Sequence, residues 1–327
     1  MLNQTTDLKE VLETASPTTT SPPLSQDIHI LIGRRSSLSV ISILSTSGVS
    51  YEQYGINVTD LIAIDYDPVE KYIYWTGKGY IRRAKTNFTV GELLASNLST
   101  EVDGVAVDWV ARNMYWSDKG LKLIGVSRLD GSSKKNFITT NIEAPRAIVL
   151  YPSIGKMYWS DWGSKPKIEA TSLDGTDRHI LVNGSLMWPN GLAIDYARNF
   201  LYWVDAGLDR IEAIQLDGSG RSVLIAHDHH IFGFTYFQNF IYWTDWQTGS
   251  LDRMLVYNST IRQNIASGAG DFMGVKVYGN HAIPQTNQCY GNNNGCSHLC
   301  FYTSNGAVCD CPQSWGLKSD KKTCISP

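Results

Sequence analysis

The chain has 327 residues, enough for one large core and a small second module. Its composition is ordinary except for 10 Trp and 17 Tyr, and its formal charge is only −3. So balanced a charge argues against a phosphate-binding surface or a polybasic membrane patch, and nucleic acid is not expected as a partner.

Residues 1–26 are polar, include "TASPTTTSPPLS" (Thr14–Ser25) and lack the hydrophobic core of a signal peptide. They read as a disordered Ser/Thr/Pro-rich linker, and the chain as a piece of something larger. No apolar run reaches the roughly 20 residues of a membrane helix, so any membrane attachment is expected through parts of a parent chain absent here.

From 27 to 283 one pattern recurs. "IYWTG" at Ile73, "MYWSD" at Met114, "MYWSD" at Met157, "LYWVD" at Leu201 and "IYWTD" at Ile241 place tyrosines at 74, 115, 158, 202 and 242. Spacings of 41, 43, 44 and 40 residues suit propeller blades. Short alternating runs broken by "LDG" turns at Leu129, Leu173 and Leu216 fit four-stranded blades better than helices. The innermost strand of each blade is apolar on both faces, as in "GVAVDW" (Gly104–Trp109) and "GLAIDY" (Gly191–Tyr196). Six such strands begin after Asp60, Asp103, Arg146, Asn190, Phe232 and Met273. The last, "GVKVYG" (Gly274–Gly279), has no tetrad after it, whereas "IHILIGRRSSLSVISIL" (Ile28–Leu44) has no inner strand. Together they make a sixth blade from both ends and close the ring. The tetrad Tyr and Trp are then wedges between blades, and the Ser/Thr and Asp satisfy backbone groups at the strand end.

Binding residues are sought where the repeats disagree. After the tetrad stand Lys78, Lys119, Trp162, Ala206 and Trp246; two residues before the inner strands stand Val58, Glu101, Ala144, Trp188, His230 and Asp271. Antiparallel pairing brings these to one face, whose mixture of aromatic anchors, charges and the Asn190 amide has the composition of a protein-binding hot spot. In "AHDHHIFGF", His227, His229 and His230 stand close together, but strand alternation turns His229 away from its chain neighbours, so a pH-sensing role is favoured over a metal. No catalytic motif is present. A calcium site of the propeller-lactonase kind would use Asp60, Asp103 and Asn190, but Arg146 in the same ring opposes a cation. No metal, no cofactor and no enzymatic activity are expected.

All six cysteines fall in 284–327, as Cys289-x6-Cys296-x3-Cys300-x8-Cys309-x-Cys311-x12-Cys324, and read as a three-bridge module of an oxidising compartment. Sequons at Asn3, Asn57, Asn87, Asn97, Asn183 and Asn258 agree with an extracellular setting. Spacing alone leaves fifteen connectivities open.

The pattern around "GCSHLC" and "CDCPQSWGLKSDKKTC" resembles an epidermal-growth-factor-like (EGF-like) module, which implies the pairing 289–300, 296–309 and 311–324. Five Tyr-Trp tetrads followed by such a module resemble the YWTD propellers of the low-density-lipoprotein receptor family. "GVAVDWVARNMYWSD", "APRAIVLYPSIGKMYWSDWG", "WPNGLAIDY" and "HIFGFT" are most similar to the second propeller–EGF unit of its Arrow-type Wnt co-receptors. The resemblance implies an all-β, six-bladed propeller in the extracellular region of a single-pass plasma-membrane receptor. It implies binding of Wnt proteins together with Frizzled, and of secreted antagonists of the Dickkopf or sclerostin kind. It also implies a top-face ligand site at Arg34 or Arg35, Asp103, Arg146, Trp162, Trp188, Asn190, His230, Trp246 and Met273. Gly77 in place of the first tetrad Asp, and Glu101-Val102 before Asp103, depart from the family pattern. An endocytic lipoprotein or yolk receptor with acid-dependent release is the alternative within the same fold, and the calcium lactonase the alternative outside it.

Overall fold

A computed structural model describes residues 27–44, 48–54, 58–85, 91–227, 230–267, 271–279 and 286–327; the expected linker, Asn57, Asn87 and His229 lie outside them. Six four-stranded antiparallel sheets form the blades of a propeller. The inner strands of blades 1 to 5 are Ile64–Asp67, Val102–Asp108, Pro145–Tyr151, Pro189–Asp195 and Ile231–Phe237. Blade 6 joins Phe272–Gly279 from the end of the repeats to Ile28–Arg34, Leu38–Leu44 and Gly48–Tyr54 from their beginning. Each inner strand packs on the next, and Phe272–Gly279 meets Ile64–Asp67, so the ring is closed and its inner edges are covered.

The tetrads do the scaffold work expected of them. Trp75, Trp159, Trp203 and Trp243 are fully buried. The Tyr74 and Tyr115 hydroxyls donate to the carbonyls of Leu129 and Leu173 in the following blade, so each ring spans a seam. The hydroxyls of Thr76, Ser160 and Thr244 accept from the N–H of Ala63, Ala147 and Gly233 in the adjacent inner strand. Asp161 accepts from the N–H of Glu143, Ala144 and Gly163, and Asp205 from those of Met187, Trp188, Gly207 and Leu208. One carboxylate thus fixes the loop that enters a blade and the turn that leaves its second strand.

Register corrects the alignment of blade 1. Val105, Ile148 and Leu192 lie opposite their tetrad tryptophans, and in blade 1 that place belongs to Ile64. The ring residue equivalent to Asp103 is therefore Ile62, and Asp60 is level with Glu101. The strand carries acids at both 65 and 67, and the first mimics the "VDW" of blade 2. It is Asp67 that caps the hairpin, accepting from Val69 N–H at 3.0 Å as Asp108 does from Val110 N–H at 3.0 Å.

The cysteine module forms the three bridges 289–300, 296–309 and 311–324. It is docked on the propeller. Leu299 and Phe301 complete a core with Tyr115, Ile148 and Trp159, Asn113 donates its amide to Cys300 O at 2.8 Å, and Lys135 pairs with Asp310 at 2.5 Å. Gly155, at φ 69°, abuts the Tyr302 backbone, where a Cβ would have no room.

Candidate binding face

At one end of the ring, inner strands begin and tetrad strands end. The ring residues there are Ile62, Asp103, Arg146, Asn190, Phe232 and Met273. Arg146 dominates them. Its guanidinium pairs with Asp103 of blade 2 at 2.6 Å, donates to the Asn190 carbonyl oxygen of blade 4, and lies 5.2 Å from the Phe232 ring of blade 5. A side chain of blade 3 that reaches blades 2, 4 and 5 crosses the axis and caps this end of a channel of about 590 Å³. Trp162 covers it at 4.3 Å, held by its indole N–H to Pro189 O at 2.7 Å. Burial pulls the Arg146 pKa below its ordinary value, and Asp103 beside it acts in the opposite direction.

This changes how the expected site residues are read. Asp103, Arg146 and Asn190 are brought together but face one another more than solvent, and Met273 is buried. The Asn190 amide donates to Ile231 O at 3.1 Å as well as accepting from Arg146, so it is already engaged on both sides. Arg34 stands at the register of the tetrad Asp in blade 6 and lies 4.9 Å from the Phe272 ring. Trp162, expected as a ligand residue, also serves the scaffold as the lid on Arg146.

What remains open is aromatic. Trp188 is 52% exposed and Trp246 47% exposed. Trp162 and Trp188 are 6.5 Å apart, and His230 meets Trp246 edge-on at 5.9 Å. Met187, 44% exposed, extends this arc and was not singled out from sequence; its place directly before Trp188 was the available signal. Blades 1 and 2 carry charge instead, as two matched pairs, Lys78–Asp60 at 3.1 Å and Lys119–Glu101 at 2.5 Å. The face is therefore divided into an apolar arc over blades 3 to 5 and a neutralised ionic arc over blades 1 and 2.

At the missing Asp of blade 1, Tyr80 substitutes. Its ring fills the space a Cβ on Gly77 would need, and its hydroxyl donates to Thr59 O at 2.6 Å and accepts from Thr59 N–H at 3.2 Å. Tyr80→Phe is expected to cost about 1 kcal/mol, seen as a lower thermal midpoint, because both bonds vanish together.

Among the described residues no group of three or more His, Cys, Asp or Glu is placed to hold a metal ion. No helix among them is long and apolar enough to cross a membrane.

Residues 112–152, 155–196 and 199–235 match the low-density lipoprotein receptor repeat class B. The chain is 39% identical over 230 residues to the human low-density lipoprotein receptor-related protein 5-like protein, covering 69% of this chain and 91% of that one. The chain belongs to the low-density lipoprotein receptor-related family. Within the family it is also 32% identical to the vitellogenin receptor Yl of Drosophila melanogaster over 82% of its length, and 33% identical to the vitellogenin receptor of Solenopsis invicta over 77%. It spans only 14% and 15% of those two proteins. A chain in the crystal structure of a nidogen/laminin complex superposes with a TM-score of 0.70 at 28% identity, covering 76% of this chain and 98% of that one. TolB from Acinetobacter baumannii, at 12% identity and a TM-score of 0.58 over 81% of this chain and 68% of that one, shares the fold.

Proposed function

We propose that the chain is a non-enzymatic, extracellular ligand-binding unit of an Arrow-type Wnt co-receptor, corresponding to the second propeller–EGF unit, with residues 27–283 as propeller and 284–327 as module. Its partners are Wnt proteins presented with Frizzled, and secreted antagonists of the Dickkopf or sclerostin kind. The observation that carries this reading is the apolar arc of Met187, Trp188 and Trp246, exposed on a rim where Asp60, Glu101 and Asp103 are each paired with a cation. Because the ring beneath it is closed and hydrogen-bonded, docking of a loop or peptide orders little that is not ordered already. Arg34, Asp103, Arg146, Trp162, Asn190, His230 and Met273 act in this proposal mainly as the support that holds the arc. Exposed Asn97, Asn183 and Asn258 are the described sequons open to glycans; the Asn258 side-chain oxygen accepts from the Thr260 hydroxyl at 2.6 Å.

The vitellogenin receptors favour a second reading, in which the same arc holds a lipoprotein or yolk cargo and His230, edge-on to Trp246, drives release in acid. One experiment separates the two. Trp188→Ala and Trp246→Ala are expected to weaken Wnt or antagonist binding by about 2 kcal/mol each, roughly 30-fold, with unchanged secretion. Normal binding by both variants defeats the arc. Binding of yolk lipoprotein alone, lost at pH 5.5 in the wild type but retained in His230→Gln, transfers the arc to the second reading.

A further inference from the structure

We infer that the crevice between blade 2 and the cysteine module binds a sulfate group of a sulfated polysaccharide, with Arg128 as the anchoring cation. Arg128 ends the strand Leu123–Arg128 opposite Asn113. The register-equivalent positions of blades 1, 3, 4 and 5 hold Lys85, Ser172, Gln215 and Leu255, so the scaffold does not ask for an arginine. Arg83, Arg112, Arg146, Arg178, Arg198, Arg210 and Arg221 each have a carboxylate partner. Arg128 has none within ion-pair distance among the described residues. It is pinned through Nη1 to neutral oxygens: Ala111 O at 2.6 Å, Asn113 Oδ1 at 3.0 Å and Asn293 Oδ1 at 3.0 Å. Burial draws its pKa below the ordinary guanidinium value, while the charges of Asp130 and Asp108 act in the opposite direction without forming an ion pair with it.

The crevice holds about 500 Å³, and Arg128 lines it together with Ser133, Ser297, His298 and Trp315. Hydroxyls and an imidazole beside a guanidinium are suited to a tetrahedral oxyanion. Asp108, which also acts on Arg128, is fully buried beneath the strand rather than on the crevice wall, and the exposed or half-exposed acids nearby have partners of their own. Asp130 accepts from Ser132 N–H and hydroxyl, Asp310 pairs with Lys135, and Asp320, held at about 2 chiefly by the Thr323 hydroxyl, also accepts from the N–H of Lys322 and Thr323.

A chain of anions, rather than one free ion, fits the surroundings. Exposed Lys134 and Lys322 stand at the edge of the crevice, because Gln313 N–H donates to Lys134 O and Ser297 N–H to Lys322 O, both at 2.9 Å; exposed Lys318 and Lys321 belong to the turn that leads into Lys322, closed by Lys321 N–H to Lys318 O at 2.9 Å. Trp315, 40% exposed with His298 edge-on at 5.0 Å, offers a flat face against which a sugar ring can lie.

The test uses the whole secreted chain and a heparin-derived decasaccharide, with its fully desulfated counterpart as control. The sulfated probe is expected to bind in a salt-dependent manner and the desulfated one not. The triple variant Lys134→Glu/Lys318→Glu/Lys321→Glu, and separately Arg128→Gln, are expected to lose about tenfold or more in affinity. Lys78→Glu, on the remote rim, stays near wild type. Because Arg128→Gln also loosens the contact with Asn293, the lysine variant is the one that decides. Equal binding of both probes, or wild-type affinity in the lysine variant, overturns the proposal. So does a failure of the sulfated decasaccharide to bind at all.

Discussion

Asp103→Ala is expected to destabilise the propeller by about 3–5 kcal/mol, because it strips the counter-ion from a buried guanidinium. The Asp103 side chain is 8% exposed and that of Arg146 13%, so water cannot take the carboxylate's place. For a domain of this size the loss corresponds to a fall of roughly 10 °C in thermal midpoint. The pair is not thereby proved stabilising in itself. Replacing both members by apolar residues, as in Asp103→Leu/Arg146→Met, is expected to recover most of the loss, since it removes the charge rather than stranding it. If Asp103→Ala melts with the wild type, Arg146 is solvated and does not cap the channel.

Phe301→Ala is expected to have the other large effect, about 3–5 kcal/mol, concentrated on the docking of the cysteine module. Phe301 is 1% exposed and lies 5.4 Å from Phe137 and 6.4 Å from Tyr115, so the module contributes a core residue to the propeller. Its disulfides keep the module itself folded when that anchor is lost. Released from the propeller, the module leaves a wider particle in small-angle scattering and a chain that proteases cut faster. A variant with wild-type dimensions and wild-type protease resistance would show that the polar contacts of Asn113 and Lys135 suffice.

The six blades were legible because each blade repeats the same solution, and a period of about 40 residues survives any single substitution. Closure from both ends was legible for the same reason, through an inner strand without a tetrad at Gly274–Gly279 and tetrad-less strands at Ile28–Leu44. Blade 1 slipped by two residues because alternation in a strand is satisfied equally by Asp65 or Asp67, and only the hairpin bonds to Val69 and Val110 tell which acid caps the turn. The inward engagement of the rim was not legible. Arg146 meets partners 43 and 44 residues away, and nothing local in "APRAIV" distinguishes a buried arginine from one offered to a ligand. Docking of the module was hidden more deeply still, since Asn113 and Cys300 are 187 residues apart. Divergence between repeats thus locates the rim but does not sort the residues that touch a partner from those that hold them in place.

In blade 6, Ile28 pairs directly with Gly279 in an antiparallel ladder, so the polypeptide enters and leaves the wheel at neighbouring points. Tension applied across those two points would open that ladder bond by bond, like a zip, instead of loading all its hydrogen bonds at once. Anchoring of the cysteine module on blades 2 and 3 moves the grip point away from this seam, so a pull on the module would load the propeller through its side wall.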